Sequence, residues 1–281
     1  MAAITRITFV DLTRQKVFYG ILIFAVVLIG SSAFMARLTF QQELQVLKDI
    51  GLGAISIFTS LLAVLATARL LPQEIEDRTI YTILAKPVER IEYLLGKLGG
   101  VLLLLAISIV VMSALFVAVV FFREQTILSE TARQMSAAPA DQLSEAMRSV
   151  RSSGLSANLL PGIAVIYVKA AVLAALTLFV STFATTNIFT VFTIAVIYLI
   201  GHLQGVARDY WLQNNGSIVS RVFLGLVALM FPDLQLFNLV DEVVAGSSIP
   251  LALFAKTAAL GGYYIVIYIL LASAVFYRKE L

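Results

Sequence analysis

At 281 residues, with 60% apolar side chains, 13% charged ones and a mean hydropathy of +0.96, this chain lies far from the balance of a water-soluble domain. Its net charge of +3 is scattered among the polar stretches without interleaved aromatics, which argues against nucleic acid as a partner. The absence of cysteine excludes disulfides and thiolate chemistry, and a single histidine, His202, excludes a multi-histidine metal site. The length accommodates about six membrane spans of roughly 20 residues each. The expectation is therefore one all-α integral membrane domain over residues 1–281, embedded in membrane lipid.

Residues 1–16 set Ile4, Ile7, Val10 and Leu12 near helical spacing, opposite Thr5, Arg6, Thr8, Asp11 and Arg14. An interfacial amphipathic helix and a polar tail both fit so short a pattern. The first apolar run, Val17 to Ala36, follows Arg14 and Lys16 and has the small residues of a signal-peptide cleavage site. It is longer than a signal core and is followed by further spans, so it reads as an uncleaved first helix that starts in the cytoplasm. The second run, Ile50 to Leu71, returns the chain, with Pro72 expected to end it.

Residues 72–97 then hold the densest charge in the sequence. The third span, Leu98 to Phe122, leads to a polar extracytoplasmic segment, 123–160. There Pro139 can open a helix and Gly154 can close one, although a plain loop fits equally. The fourth and fifth spans, Pro161 to Thr182 and Thr186 to Gly205, form a tight hairpin about Phe183-Ala184-Thr185, and Tyr210 and Trp211 mark the fifth span's outer end. Within segment 206–258, the apolar run Ile218 to Phe231 is too short to cross and reads as a re-entrant or interfacial helix. A polar turn with Pro232, Asp233, Asp241, Glu242 and Gly246 precedes the last span, Ala259 to Tyr277, which exits at Arg278 and Lys279. Both termini are then cytoplasmic.

The spans offer little chemistry. Lys169 is the one clear ionisable residue inside them, and its position two turns from the outer start of its helix predicts that it snorkels to the headgroups. His202 reads as an interfacial side chain, and Gly201 with Gly205 has the spacing that lets helices approach closely. Without a phosphate-binding G-x-x-x-x-G-K-[ST] loop the chain does not split ATP in the P-loop manner, and no catalytic, cofactor or metal site is expected. In the charged loop, Ile75, Thr79, Ile80 and Ile83 fall at helical spacing, with Glu74, Glu76, Asp77 and Arg78 directed elsewhere. A short surface helix ending at Pro87 fits, joined through Arg90 and Lys97 to the third span. It can act as a lever or simply orient the hairpin.

Here the sequence resembles the permease subunits of type-2 ABC exporters. The resemblance rests on Glu74 and Glu76, Arg78-Thr79-Ile80, Leu84, Lys86-Pro87-Val88, Arg90 and Tyr93-Leu94-Leu95-Gly96-Lys97. Ser181 and Phe231-Pro232-Asp233-Leu234 add to it. Arg78 stands where that family often has glycine. The resemblance implies a six-span half-transporter that pairs with a second identical or related permease. Each copy would rest its loop on a separate P-loop ATPase subunit that binds ATP and Mg in the bacterial cytoplasmic (inner) membrane.

Carried over by position, Glu74, Glu76, Asp77, Arg78, Thr79, Pro87 and Arg90 form the ATPase-coupling set. Thr59, Ser60, Thr190, Thr193 and Tyr198, on the second and fifth spans, become candidates for the pathway lining. Two alternatives remain open. One is an autonomous ion- or proton-coupled carrier; the other is a membrane scaffold that docks a cytoplasmic partner without transport.

Overall fold

The computed structural model describes residues 1–36, 43–77, 89–136, 139–155, 158–213, 231–244 and 250–278. Among them the chain is helical, without strands, and six helices are long and apolar enough to cross a membrane. These are α2 (Lys16–Ala36), α3 (Glu43–Ala68), α5 (Arg90–Gln134), α7 (Leu159–Phe183), α8 (Asn187–Gln213) and α10 (Leu251–Arg278). Four shorter helical elements complete the described fold: α1 (Ala2–Thr13), α4 (Leu70–Glu76), α6 (Ala140–Ser153) and α9 (Val240–Val244). A single 3-10 turn, Leu234–Phe237, precedes α9; the Asp233 side chain caps it by accepting a 3.1 Å bond from the Gln235 amide. The expected re-entrant run from Ile218, and Gly246 and Lys279, lie outside the described residues, except for Phe231 at the run's end.

Helices α3 and α7 are the most enclosed spans, and α7 packs along both α3 and α10. In hydrocarbon, apolar side chains gain nothing from leaving lipid for protein, so close van der Waals approach has to hold such helices together. Small residues supply it. A methyl group added at Gly162 would meet Val243 Cγ2 at 2.8 Å, and one at Gly261 would run into Val168. Gly51 in α3 likewise leaves the space that the Phe116 ring of α5 occupies. Gly201 and Gly205 serve a different neighbour from the one their spacing suggests. They admit the backbone carbonyl of Pro232, the Leu234 side chain and Gln235, so α8 closes on the 231–237 turn instead of on another helix.

Three boundaries depart from the sequence reading. Pro72 does not end the second span. The helix breaks at Ala68–Arg69, and Pro72 sits in the first turn of α4. A proline ring clashes with the carbonyl four residues earlier, here that of Ala68, so the interruption falls upstream of the proline and the chain then resumes helix. The third span does not stop at Phe122, because α5 continues for 45 residues, a rod of about 67 Å at 1.5 Å per residue. It therefore rises well beyond a hydrocarbon core of about 30 Å. Finally, α1 does not present Ile4, Ile7 and Val10 as one packed face. Thr8 and Leu12 are buried, while Ile7 is 60% exposed.

The third departure follows from the partner surface. The start of α5 carries Gly96, Gly99 and Gly100, and these receive Ile4, Thr5 and Thr8. A glycine strip accepts compact β-branched side chains one helical turn apart, so the α1 contact stripe is Ile4, Thr5, Thr8 and Leu12. At Gly100 an added Cβ would lie 2.6 Å from Thr8 Cβ and 3.0 Å from the Thr5 carbonyl oxygen. We expect Gly100→Val to lift α1 from α5. The chain has no cysteine of its own, so Leu12→Cys, buried at this contact, reports directly. Its maleimide labelling should accelerate about tenfold in the Gly100→Val background, the effect of an overpacking cost of about 1–3 kcal/mol; an unchanged rate would mean that the strip does not hold α1.

Candidate functional site

The charged loop enters through α4, whose residues Leu70, Leu71 and Pro72 are buried against the bundle. One helical turn on, Glu74 turns inward. Its carboxylate accepts hydrogen bonds from the Tyr93 hydroxyl and from the Lys97 ammonium, both on the first two turns of α5. Tyr93 is fully buried and stacks on Phe276 of α10, with ring centroids 6.0 Å apart. Lys97 is 5% exposed, and its Nζ lies 5.6 Å from the Tyr93 ring centroid. A carboxylate shared by a phenol and an ammonium satisfies both buried donors at once.

Arg90, at the first position of α5, reaches in another direction. Its Nη1 donates to the carbonyl oxygens of Phe276 at 2.8 Å and Tyr277 at 2.9 Å, and its guanidinium lies over both rings at 5.9 and 5.4 Å. The last carbonyls of a helix lack intrahelical partners and carry the negative end of its dipole, so a guanidinium there is a favourable cap. Through Arg90 the loop is tied to the end of the last span as well as to the third. The start of α1, the whole of α4, the start of α5 and the end of α10 consequently lie on one face of the molecule.

Glu76 and Asp77 are exposed beyond Glu74. The sequence-derived coupling set thus divides among its described members: Glu74 and Arg90 hold helices together, while Glu76 and Asp77 face outward. Arg78, Thr79 and Pro87 lie outside the described residues. Behind the loop, Thr8, Asp11 and Gln15 of the N-terminal stretch, with Arg69, Gln73, Glu74, Asp77 and Lys97, line a polar cleft of about 470 Å³.

The pathway candidates separate too. Ser60 and Tyr198 line an apolar groove of about 190 Å³ between α3 and α8, together with Ile57, Leu61, Val64, Val191, Ile194 and Ala195, and the Ser60 hydroxyl donates to the Ser56 carbonyl oxygen at 2.7 Å. Thr59 and Thr190 are buried, and each returns its hydroxyl to a carbonyl four residues back, at 2.6 Å from Ile55 and 3.3 Å from Thr186. Thr193 is half-buried and does not line the groove.

Several ionisable groups escaped the sequence reading. Lys169 does not snorkel. It is 3% exposed, and its Nζ lies 5.6 Å from the Tyr198 ring centroid. It lines a polar cavity of about 210 Å³ with Asp49, Gly53, Ser56, Ile57, Tyr198, His202, Asn238 and Val240. His202 is half-buried there, with Nδ1 3.0 Å from the Tyr198 carbonyl oxygen.

At the opposite face from the loop, Arg123 of α5 pairs with Glu43 of α3, its Nε at 3.2 Å from the carboxylate. Glu124 accepts from the Leu155 amide at 3.1 Å, just beyond α6. Lys48, wholly buried in α3, has no hydrogen-bond partner for its Nζ among the described residues and feels the Glu124 charge. The sequence signal for this cluster was available in the run of charges before Ile50 and after Phe122. The boundaries placed them in loops, whereas α3 and α5 run on through them.

Residues 9–141 match a family model described as ABC-2 family transporter protein, a likeness that supports a type-2 ABC permease subunit. No curated protein matches the chain significantly. The matched stretch covers the end of α1, the first three spans and the charged loop, and so includes the Glu74, Tyr93 and Lys97 junction.

That junction can be tested by a double-mutant cycle on thermal unfolding of the purified protein in neutral detergent. Glu74→Gln and Lys97→Met should each destabilise by about 1–3 kcal/mol, because each removes the opposite charge from a partly buried ion pair. The double variant should lose clearly less than the two losses added together. Simple additivity would show that the two residues act independently.

Proposed function

We propose that this chain, whose residues 9–141 match the ABC-2 transporter family, is a type-2 ABC permease, an exporter half that couples ATP hydrolysis in a separate P-loop ATPase to movement of a substrate across the bacterial cytoplasmic membrane. ATP and Mg bind the partner, a second identical or related permease completes the transporter, and both termini face the cytoplasm. The observation that carries this reading is the anchoring of the charged loop. Its entry is fixed by Glu74 to Tyr93 and Lys97, its exit by Arg90 to the end of α10, and Glu76 and Asp77 are left facing outward between the two anchors.

A load applied to those outward groups reaches α3 through α4, α5 through Tyr93 and Lys97, and α10 through Arg90. Three spans would then respond to one docking event. A loop that served only as a connector between α4 and α5 has no need of a tie to the sixth span. The sequence has no G-x-x-x-x-G-K-[ST] phosphate-binding loop, in keeping with a permease served by a separate ATPase.

An autonomous carrier is favoured by one specific observation, the presence of Asp49, Lys169 and His202 around one cavity. Gradient-driven flux in vesicles that contain this chain alone would support it.

The deciding experiment is gentle purification from the native membrane, with identification of copurifying proteins by mass spectrometry, for wild type and for Glu76→Ala with Arg78→Ala. A P-loop ATPase should accompany wild type and fall at least about tenfold in the double variant, the loss expected when a few docking contacts worth about 1.4 kcal/mol or more disappear. The melting temperature of the variant, measured alongside, separates loss of the partner from loss of the fold. Wild type purified intact without an ATPase would overturn the reading.

A further inference from the structure

The cavity around Lys169 says something about the substrate. Lys169 is the tenth residue after Leu159, about 15 Å along α7 from that end at 1.5 Å per residue. Its ammonium is buried within a membrane-spanning helix, and among the described residues no carboxylate forms a salt bridge with it. The partner that the described fold provides is the face of the Tyr198 ring. An aromatic face compensates a buried cation only in part. Ionisable groups at this depth are costly, and they persist where they serve a bound ion or substrate.

The cavity is also not isolated. Ile57 and Tyr198 line it and equally line the apolar groove between α3 and α8. A polar chamber of about 210 Å³ holding a buried cation therefore opens beside a hydrocarbon-lined slot of about 190 Å³. Ile57 and Leu61, at 59% and 42% exposure, leave that slot open along the outside of the bundle. The two compartments match the two halves of an amphiphile.

We propose that this site binds an amphiphile with an anionic headgroup, its charge beside Lys169 and its alkyl chain in the groove along Ile57, Leu61, Ile194 and Tyr198. This rests on the permease reading and gives it a substrate class. Ser56, Asn238 and His202 supply polar atoms around the head, and Asp49, exposed at the rim, excludes anions that lack a tail to hold them. The apolar slot supplies the affinity that a lone ammonium in a wet cavity cannot.

The test is equilibrium binding of radiolabelled dodecyl phosphate to the purified protein in neutral detergent. Wild type should bind saturably. Competition by dodecyl trimethylammonium or by inorganic phosphate should be at least about tenfold weaker than by unlabelled dodecyl phosphate. Lys169→Met should lower affinity at least about tenfold, and Lys169→Arg, which keeps the charge, should restore most of it. Leu61→Trp fills the slot from an exposed position that does not line the Lys169 cavity, and should weaken binding without touching Lys169. Unaltered binding by a folded Lys169→Met protein would overturn the proposal. So would equal competition by the cationic amphiphile, or by inorganic phosphate, which would mark a free-anion site. Neither substitution lies near the charged loop, so ATPase copurification should persist in both variants, and its loss from wild type would count against the permease reading alone.

Discussion

The carboxylate of Glu74 holds the arrangement on the loop face. It is the point at which a short helix that leaves the second span is joined to the opening turns of the third, and it does so by satisfying two donors that α5 buries. Without an acceptor at that position, the Tyr93 hydroxyl and the Lys97 ammonium would face protein and lipid, where an unpaired donor or charge costs far more than it does in water. Tyr93 in turn stacks on Phe276, and Arg90 caps the helix to which Phe276 belongs. The ends of α4, α5 and α10 are thus set relative to one another by one connected group of polar and aromatic contacts, not by apolar burial, which offers little between helices in a bilayer.

A second polar group stands at the other end of α5. Arg123 pairs with Glu43 of α3, and Glu124 receives the Leu155 amide beyond α6. Helix α5 is unbroken between the two groups, without proline over its 45 residues. A continuous helix transmits displacement along its axis with little loss, because each turn is fixed by backbone hydrogen bonds and kinks need a proline, a bulge or an inserted side chain. The two charged faces of the molecule are therefore linked by one rod, to which α3 is fastened directly through Glu43 at one end and by way of α4 and Glu74 at the other. Between these fastenings Gly51 admits the Phe116 ring, and among the described residues no ion pair joins the two helices there. The cavity with Lys169 opens on the far side of α3 from this contact, between α3, α7 and α8.

Much of this architecture was legible from the sequence. Six runs of apolar residues mark the six long helices, since the spanning length is dictated by bilayer thickness and is insensitive to tertiary detail. The tight hairpin near Ala184 was readable from local chemistry, and of the two readings left open between Pro139 and Gly154, helix or plain loop, the chain takes the helix. The errors arise where a distant neighbour decides the outcome. Thr8 looks polar in a helical wheel, yet the glycines of α5, nearly a hundred residues away, make it the buried residue of α1. Lys169 looks free to reach the headgroups, but Tyr198 lies in its way. The residues of the charged loop were recognisable as a group, but no spacing could distinguish Glu74, which faces inward, from Glu76, which does not. That distinction depends on the donors at positions 93 and 97.

The tolerance for Lys169 then follows from where the bundle is least tightly closed. Along α7, the side facing α10 is sealed by Gly261 against Val168, and the side facing α9 by Gly162 against Val243. Small residues draw these surfaces together and leave no volume for a charge. Toward α8 the contacts are of another kind: the large Tyr198 ring, the His202 imidazole and the 238–240 segment stand off from α7 and leave a chamber. A lysine on the α10 side would have to displace packed backbone, whereas on the α8 side it finds polar atoms, a ring face and room. Packing by glycine on two sides of α7 thus places the cation on the third, where the second and fifth spans meet.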